Sequence, residues 1–377
     1  MSMKGRLLAA IAVAFIAVCI CRADTIQVGF DESIQDAVNS ARPGDIIDVH
    51  GGVHRENLDI AKQIELRGEG GAVVSSGAAG NGVILRADGI VLSGFKINTL
   101  RRTGIEILSS NNRIENNSIS GCMDGVLISI GSNNSVISNE INNNTNGITL
   151  HQSRDNLIRL NYISDNDIGE SSDCGIYLTG SSNNVISNND LKNNGDCSIS
   201  LRTSRGNSLI GNNISDSYWY GISLEDQSDR NLISSNYAVD NRQAGIYLDS
   251  SRNNTLEGNK AMGNGRGIYL AFDSCDNRVL DNLVSNNGEG IHLAYHSSNN
   301  TLVNNTAINN NFGIYLTFSA GWNSIFENRL IGNINNAYDM GLKNHWDNGS
   351  IGNYYSDMGF QYYIPGGSGV DRHPLAI

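Results

Sequence analysis

The sequence predicts an all-β chain folded as a right-handed parallel β-helix, and three observations carry that prediction. The first is a phrase written ten times between Asn112 and about Asn336. Asn300 to Leu316 is a clean copy, N-x-[ILV]-x-x-N-x-[ILVA]-x-x-N-x-x-G-I-x-L. Its leading Asn recurs as Asn112, Asn134, Asn156, Asn184, Asn207, Asn231, Asn254, Asn277, Asn300 and Asn323, a period of about 23 residues with one step of 28. The second is the grammar inside each copy. Apolar residues two apart, as in Gly-Ile-x-Leu, are separated by Asn, Ser and Gly clusters, with no run long enough for a helix. The third is a pair of further Asn columns on the same beat, from Asn117 to Asn328 and from Asn144 to Asn333, the latter broken by Ser217 and preceded by Cys122. Short strands wound in one sense stack equal phases about 4.8 Å apart, and parallel crossovers are right-handed. Inward Ile and Leu then fill a core that no rung closes alone. Turn-facing Asn residues accept left-handed corners and bond from rung to rung.

Residues 1–23 read as an export signal, with Lys4 and Arg6, an apolar run from Leu7 to Ile20, and Arg22-Ala23 as the cleavage edge. The run is shorter than the roughly 20 apolar residues of a membrane span. Cleavage is therefore expected, with a retained anchor as the alternative and no transmembrane domain in the mature chain. Residues 24–336 should form the β-helix. It opens with a short amphipathic helix, Asp31 to Ala41, that presents Ile34, Ala37, Val38 and Ala41 to the open bottom of the coil. Asp45 to Val49, Gln63 to Leu66, Val83 to Leu85 and Ile90 to Leu92 follow as irregular opening rungs. Residues 337–377, rich in Gly and aromatics, lack the period and are expected to fold over the last rung as an irregular cap.

The 377 residues carry a formal charge of −12, which becomes −15 if residues 1–23 leave with Lys4, Arg6 and Arg22. No basic run interrupts this, which argues against nucleic acid and anionic membrane surfaces as partners. Cys174 and Cys197 share neighbouring phases and should stack within disulfide reach; a bond and a pair of stacked thiols both remain open. The eight N-x-S/T triplets mostly flank ladder Asn residues and arise readily from an Asn-rich repeat. No cofactor is expected. His292 and His296 are separated by a strand and a corner, and the loop Asp165 to Asp173 lacks the spacing of an EF-hand calcium loop.

The opening SIQDAV…PGDIIDV…ENLDI…IELRG phrase, the rungs and the tail phrase NYYSD resemble the NosD-like, or CASH-type, right-handed β-helix proteins of the pectin-lyase-like superfamily. The likeness covers nearly all of the mature chain. It implies the fold, and a spread of activities: cell-surface proteins, carbohydrate-binding modules, sugar hydrolases and a periplasmic protein linked to copper-enzyme maturation. Related tails often continue into a calcium-like Asp/Gly stretch, whereas Asp357 is followed here by Met358-Gly359-Phe360, so calcium at the tail is not implied.

Two outward columns are the candidate chemistry. The x of Gly-Ile-x-Leu should point to solvent, and reading it upward gives Tyr177, Tyr247, Tyr269, His292 and Tyr315 as a stripe of exposed rings. Trp219 stands at the corner beside it. Flat aromatic faces can lie under sugar rings, although tyrosines at this spacing can also stack on one another. The phase after Leu places Arg202, Glu225 and Asp249 on consecutive rungs. Two carboxylates about 5 Å apart suit a retaining glycoside hydrolase, and an arginine beside them suits a lyase; an exposed ion pair is the plainer reading. The first expectation is thus an exported or cell-surface protein presenting a face to polysaccharide or cell-envelope glycan. A polysaccharide lyase, hydrolase or epimerase using Arg202, Glu225 and Asp249 is the alternative. A NosD-like accessory role in copper-enzyme maturation is a third.

Overall fold

The structure, a computed structural model, describes residues 23–76, 80–167, 173–357, 362–367 and 369–376. The expected export signal thus lies outside the described residues up to Arg22. Each period supplies three short strands. In the clean copy they are a leading strand Thr301–Val303, a middle strand Thr306–Ile308 and a closing strand Phe312–Leu316. Equal strands of successive rungs pair in parallel, giving leading and middle sheets of 14 strands each and a closing sheet of 13. The leading sheet runs from Thr25–Val28 to Ser324–Phe326, the middle sheet from Gly52–His54 to Tyr354–Tyr355, and the closing sheet from Leu58–Ile60 to Asn335–Asp339. The parallel β-helix expected from the period is therefore present, with about 14 turns and, among the described residues, one short helix.

Register is in phase throughout. Ile222 pairs with Ile246, Ile246 with Ile268 and Ile268 with Ile291. These residues are wholly buried and belong to one core that runs the length of the coil. Burying each such side chain is worth roughly 1.5–3 kcal/mol. The corner between leading and middle strands requires a left-handed residue. Asn116, Ser138, Leu160, Asn188, Ser235, Asp281, Asn304 and Glu327 sit there with φ from 52° to 59°, and glycine takes the place at Gly211 and Gly258.

The amides do what the columns imply. Asn254 Oδ1 accepts from the backbone N–H of Asn231 at 2.8 Å, and Asn254 donates from its own N–H to Asn277 Oδ1 at 2.8 Å. The same pattern repeats up the leading and middle columns, so the corners' backbone donors are satisfied by the rung above. Two ladders continue past Asn336 into the tail, ending on Asn344 and Asn353. A serine ladder, which sequence reading missed, runs three residues before the leading Asn. Ser153 N–H donates to Ser181 Oγ at 3.0 Å, and the series continues through Ser204, Ser228 and Ser251 to Ser274.

The helix spans Ile34–Ser40, shorter than the expected 31–41. Ser33 caps it, and Glu56 accepts from Ser33 Oγ and from the N–H groups of Ile34 and Gln35 at 2.8 to 3.1 Å. Lys62 Nζ donates to the carbonyls of Val38, Asn39 and Ala41 at the other end, as charge at helix termini favours. Ile34, Ala37 and Val38 close the bottom of the core. At the top Trp346, Tyr355 and Ile364 join the same core. Trp346 Nε1 donates to Asp339 Oδ2 at 2.9 Å, and Tyr355 stacks on Tyr362 at 3.7 Å.

Candidate functional site

The outward column of the closing sheet is in register from Glu106 upward. Tyr177 pairs with Ser200, Ser200 with Ser223, Ser223 with Tyr247, then Tyr269, His292, Tyr315 and Tyr338 follow. The column was expected to be an exposed stripe, and here the structure corrects the expectation. Tyr247 is 6% exposed and His292 4%, while Tyr177, Tyr269 and Tyr315 are half-buried. The rings cover one another. Tyr220 stacks on Tyr247 at 4.3 Å, Tyr247 on Tyr269 at 5.3 Å, Tyr269 on His292 at 4.8 Å and His292 on Tyr315 at 4.7 Å. Rung spacing is itself stacking distance, so neighbouring rings consume each other's faces and leave their edges to solvent. Trp219, 37% exposed, keeps a free side.

The column is interrupted at Ser200 and Ser223, and a cavity of about 140 Å³ opens there. Cys174, Tyr177, Asp196, Cys197, Ser200, Arg202, Trp219, Tyr220 and Glu225 line it. The gap therefore brings together four residues expected from sequence in two separate roles: Tyr177, Trp219, Arg202 and Glu225. Tyr247, Tyr269, His292 and Tyr315 stand above it, and Asp249 lies outside its lining.

Arg202 faces Glu225 in register but bonds Asp226, its Nε donating to Oδ2 at 2.6 Å. Glu225 accepts from Ser223 Oγ, and Asp249 accepts from Tyr247 at 3.1 Å and Ser250 at 2.7 Å. Burial first, then the nearby Cys197 thiol and Glu225, push the Tyr220 hydroxyl up to about 12. Burial, with Asp249 beside it, raises Tyr247 further. Both phenols therefore remain hydrogen-bond donors at neutral pH. Cys174 and Cys197 pair in register, as their phases imply, and are reduced. The Cys197 thiol is pushed well up by its hydrogen bond with Cys174 and then by burial, so Cys197 is not set up as a nucleophile.

Sequence reading missed two constellations. His292 is buried against Glu289 at 2.8 Å, Glu289 contacts Arg266 at 2.7 Å, and His292 Nε2 lies 2.8 Å from Thr317 Oγ1. Arg266 and Glu289 share the phase before glycine on adjacent rungs, so the column rule contained the pair. Phe272, Tyr295 and Phe318, two residues after the strand leucine, form a second stack at 4.6 and 4.7 Å. The acidic loop Asp165 to Asp173 falls largely on residues 168–172, outside the described residues, as does Met358-Gly359-Phe360 in the tail.

A family model described as "Periplasmic copper-binding protein (NosD)" matches residues 50–244 and, again, 175–359. The chain belongs to the NosD family. No curated protein sequence matches it. Among solved structures, this NosD-family chain is similar to the A-module of a mannuronan C-5 epimerase from Azotobacter vinelandii, with TM-score 0.63 and 14% identity over 82% of this chain and 89% of that one. A polysaccharide lyase of family PL6 from Pseudopedobacter saltans gives 0.58 and 18% over 75% and 84%. The Dettilon tailspike protein gives 0.64 and 17% over 85% and 68%. At these identities the likeness establishes the shared β-helix. No helix among the described residues is long and apolar enough to cross a membrane.

Proposed function

We propose that the protein is an exported β-helix that binds polysaccharide or cell-envelope glycan along its closing sheet, centred on the Tyr177–Trp219 cavity. The observation that supports this most is the interruption of the ring column at Ser200 and Ser223. There an aromatic platform, an arginine and two carboxylates surround an opening. Trp219, 37% exposed beside Tyr218 at 4.9 Å, offers an aromatic surface, and the raised phenol of Tyr220 offers a donor, which together suit a sugar's apolar face and hydroxyls. The names of the structural neighbours, a mannuronan epimerase and a polysaccharide lyase, favour the same ligand class. The family's periplasmic description favours export. A glycan array on the mature protein tests the reading, followed by titration of Trp219→Ala and Tyr177→Ala. Each variant should weaken the bound glycan about tenfold; unchanged affinity in both removes the cavity from the site.

Catalysis is the second reading, supported by Arg202 and Glu225 lining one opening on adjacent rungs. Glu225→Ala and Asp249→Ala should then abolish turnover of uronate polymers, and product formation that persists in both excludes them. Copper is what the family description implies. Among the described residues no group of three or more His, Cys, Asp or Glu side chains comes together to hold a metal ion. Cys174 and Cys197 stack as a pair of soft donors, and the Cys197 thiol proton is held on by the Cys174 contact and burial. The residues do not fit a copper cage, and no step is assigned to the metal.

A further inference from the structure

A second cavity, of about 550 Å³, spans the first four rungs at the corner where middle strands turn into closing strands. Arg55, Ser75, Ser76, Asn98, Thr99, Leu100, Arg101 and Gly121 line it. The chain as a whole is acidic, at −12, yet none of these eight residues carries a carboxylate. Among the described residues, Arg55 and Arg101 enter none of the ion pairs, whereas Arg67 and Arg86 of the same opening rungs do. The turn that carries Arg101 is braced. Thr99 Oγ1 donates to the Arg102 carbonyl at 2.5 Å and accepts from the Arg102 N–H at 3.2 Å, and Arg101 itself is left-handed at φ 56°. Holding a non-glycine residue there costs free energy that the brace offsets.

An independent observation points into the same place. Ser76 is 3% exposed, and its Oγ has no hydrogen-bond partner. A buried hydroxyl without a partner costs roughly 1–3 kcal/mol and calls for a ligand that supplies one. Two guanidinium forks and a hydroxyl donor, with no competing carboxylate, make an oxyanion receptor.

We propose that this cavity is an anion subsite, and that its occupant is a carboxylate or sulfate carried on a sugar chain. The corner it occupies continues upward: Asp124, just above Gly121, pairs with Asn146, whose Oδ1 accepts from Cys174 N–H at the edge of the Tyr177–Trp219 cavity. A glycan following the corner would meet the basic cavity first and the aromatic one two rungs later. The anion site stands on its own residues, and only the assignment of the anion to a sugar rests on the proposed function.

The test is calorimetric titration of the mature protein and of the double variant Arg55→Gln/Arg101→Gln, with folding checked by circular dichroism. The probes are an oligouronate, a neutral oligosaccharide of equal length, and inorganic sulfate. The double variant should bind the oligouronate at least about tenfold more weakly with a shallower salt dependence, and the neutral sugar unchanged. Wild type that takes sulfate but no glycan, with sulfate lost in the variant, upholds the anion site and sinks the polysaccharide reading. Binding of no anion by wild type, equal anion affinity in variant and wild type, or equal weakening for the neutral sugar overturns the proposal.

Discussion

Glu289 shows how one side chain can fix a face. Its carboxylate is packed among Arg266, His292 and the tyrosine column, and it meets the Arg266 guanidinium at 2.7 Å and the His292 imidazole at 2.8 Å. Burial alone would raise its pKa, but the contacts with His292 and Arg266 together outweigh burial, and the carboxyl is held below its ordinary 4.5. A depressed acid contributes stability that is complete above its unfolded pKa and disappears as pH falls through the folded value. Wild type should therefore lose melting temperature below about pH 4.5, where Glu289→Gln, already lower by about 1–3 kcal/mol at neutral pH, should fall less steeply. Parallel pH slopes in thermal melts of the two proteins would contradict the assignment. The contact was half legible in the sequence: phase put Arg266 and Glu289 on one column. Periodicity gives the direction of a side chain and not its reach, so it could not show that His292 leans inward to Thr317 rather than out to solvent.

At the scale of the element, the closing strands were legible down to register, because a period that keeps Gly-Ile-x-Leu in phase leaves no other pairing that buries every Ile and Leu. Exposure of the x column was not legible, for a physical reason. Rungs repeat at the distance at which rings stack, so a run of adjacent tyrosines satisfies itself, and the opening appears only where the run is interrupted. Ser200 and Ser223, small side chains on the ring column, line up where the cavity opens. It follows that Ser200→Tyr should extend the ring column downward from Tyr220 and close the opening between Arg202 and Trp219. The substitution should leave the far-ultraviolet spectrum and melting temperature close to wild type, since it adds one ring contact of about 0.5–1.5 kcal/mol at a site with free volume. Glycan binding measured by titration should fall at least about tenfold. Retained affinity in a folded Ser200→Tyr protein would move the binding face elsewhere, with the parallel stack of Phe272, Tyr295 and Phe318 the next surface to probe.

The whole molecule is a stack whose rungs touch only their neighbours, so its stability is close to a sum of rung and interface terms. Fourteen strands at rung spacing make a sheet about 60 Å long, closed below by Ile34–Ser40 and above by Trp346 and Tyr355. The ladders impose a rule on this sum. Each Asn serves the rung below and is served by the rung above, so any cut that preserves phase rejoins every ladder, and a cut that breaks phase orphans several buried amides at once. Removing residues 254–276, one whole period, joins Arg252-Asn253 to Asn277 and restores an Asn in each of the three columns. That protein should fold, keep its β spectrum and shorten by one rung, about 5 Å, in small-angle scattering. Removing residues 254–265 instead would set the closing strand against the leading strand of the next rung, bring Leu270 to the left-handed corner that Gly258 occupies, and leave the Asn231 and Asn236 side-chain amides without their partners above. At roughly 1–3 kcal/mol for each buried group left unpaired, the loss exceeds what a domain of ordinary stability holds in reserve, and this protein should be insoluble or unfolded. Equal solubility and equal melting behaviour of the two deletions would mean that the columns do not hold the coil together.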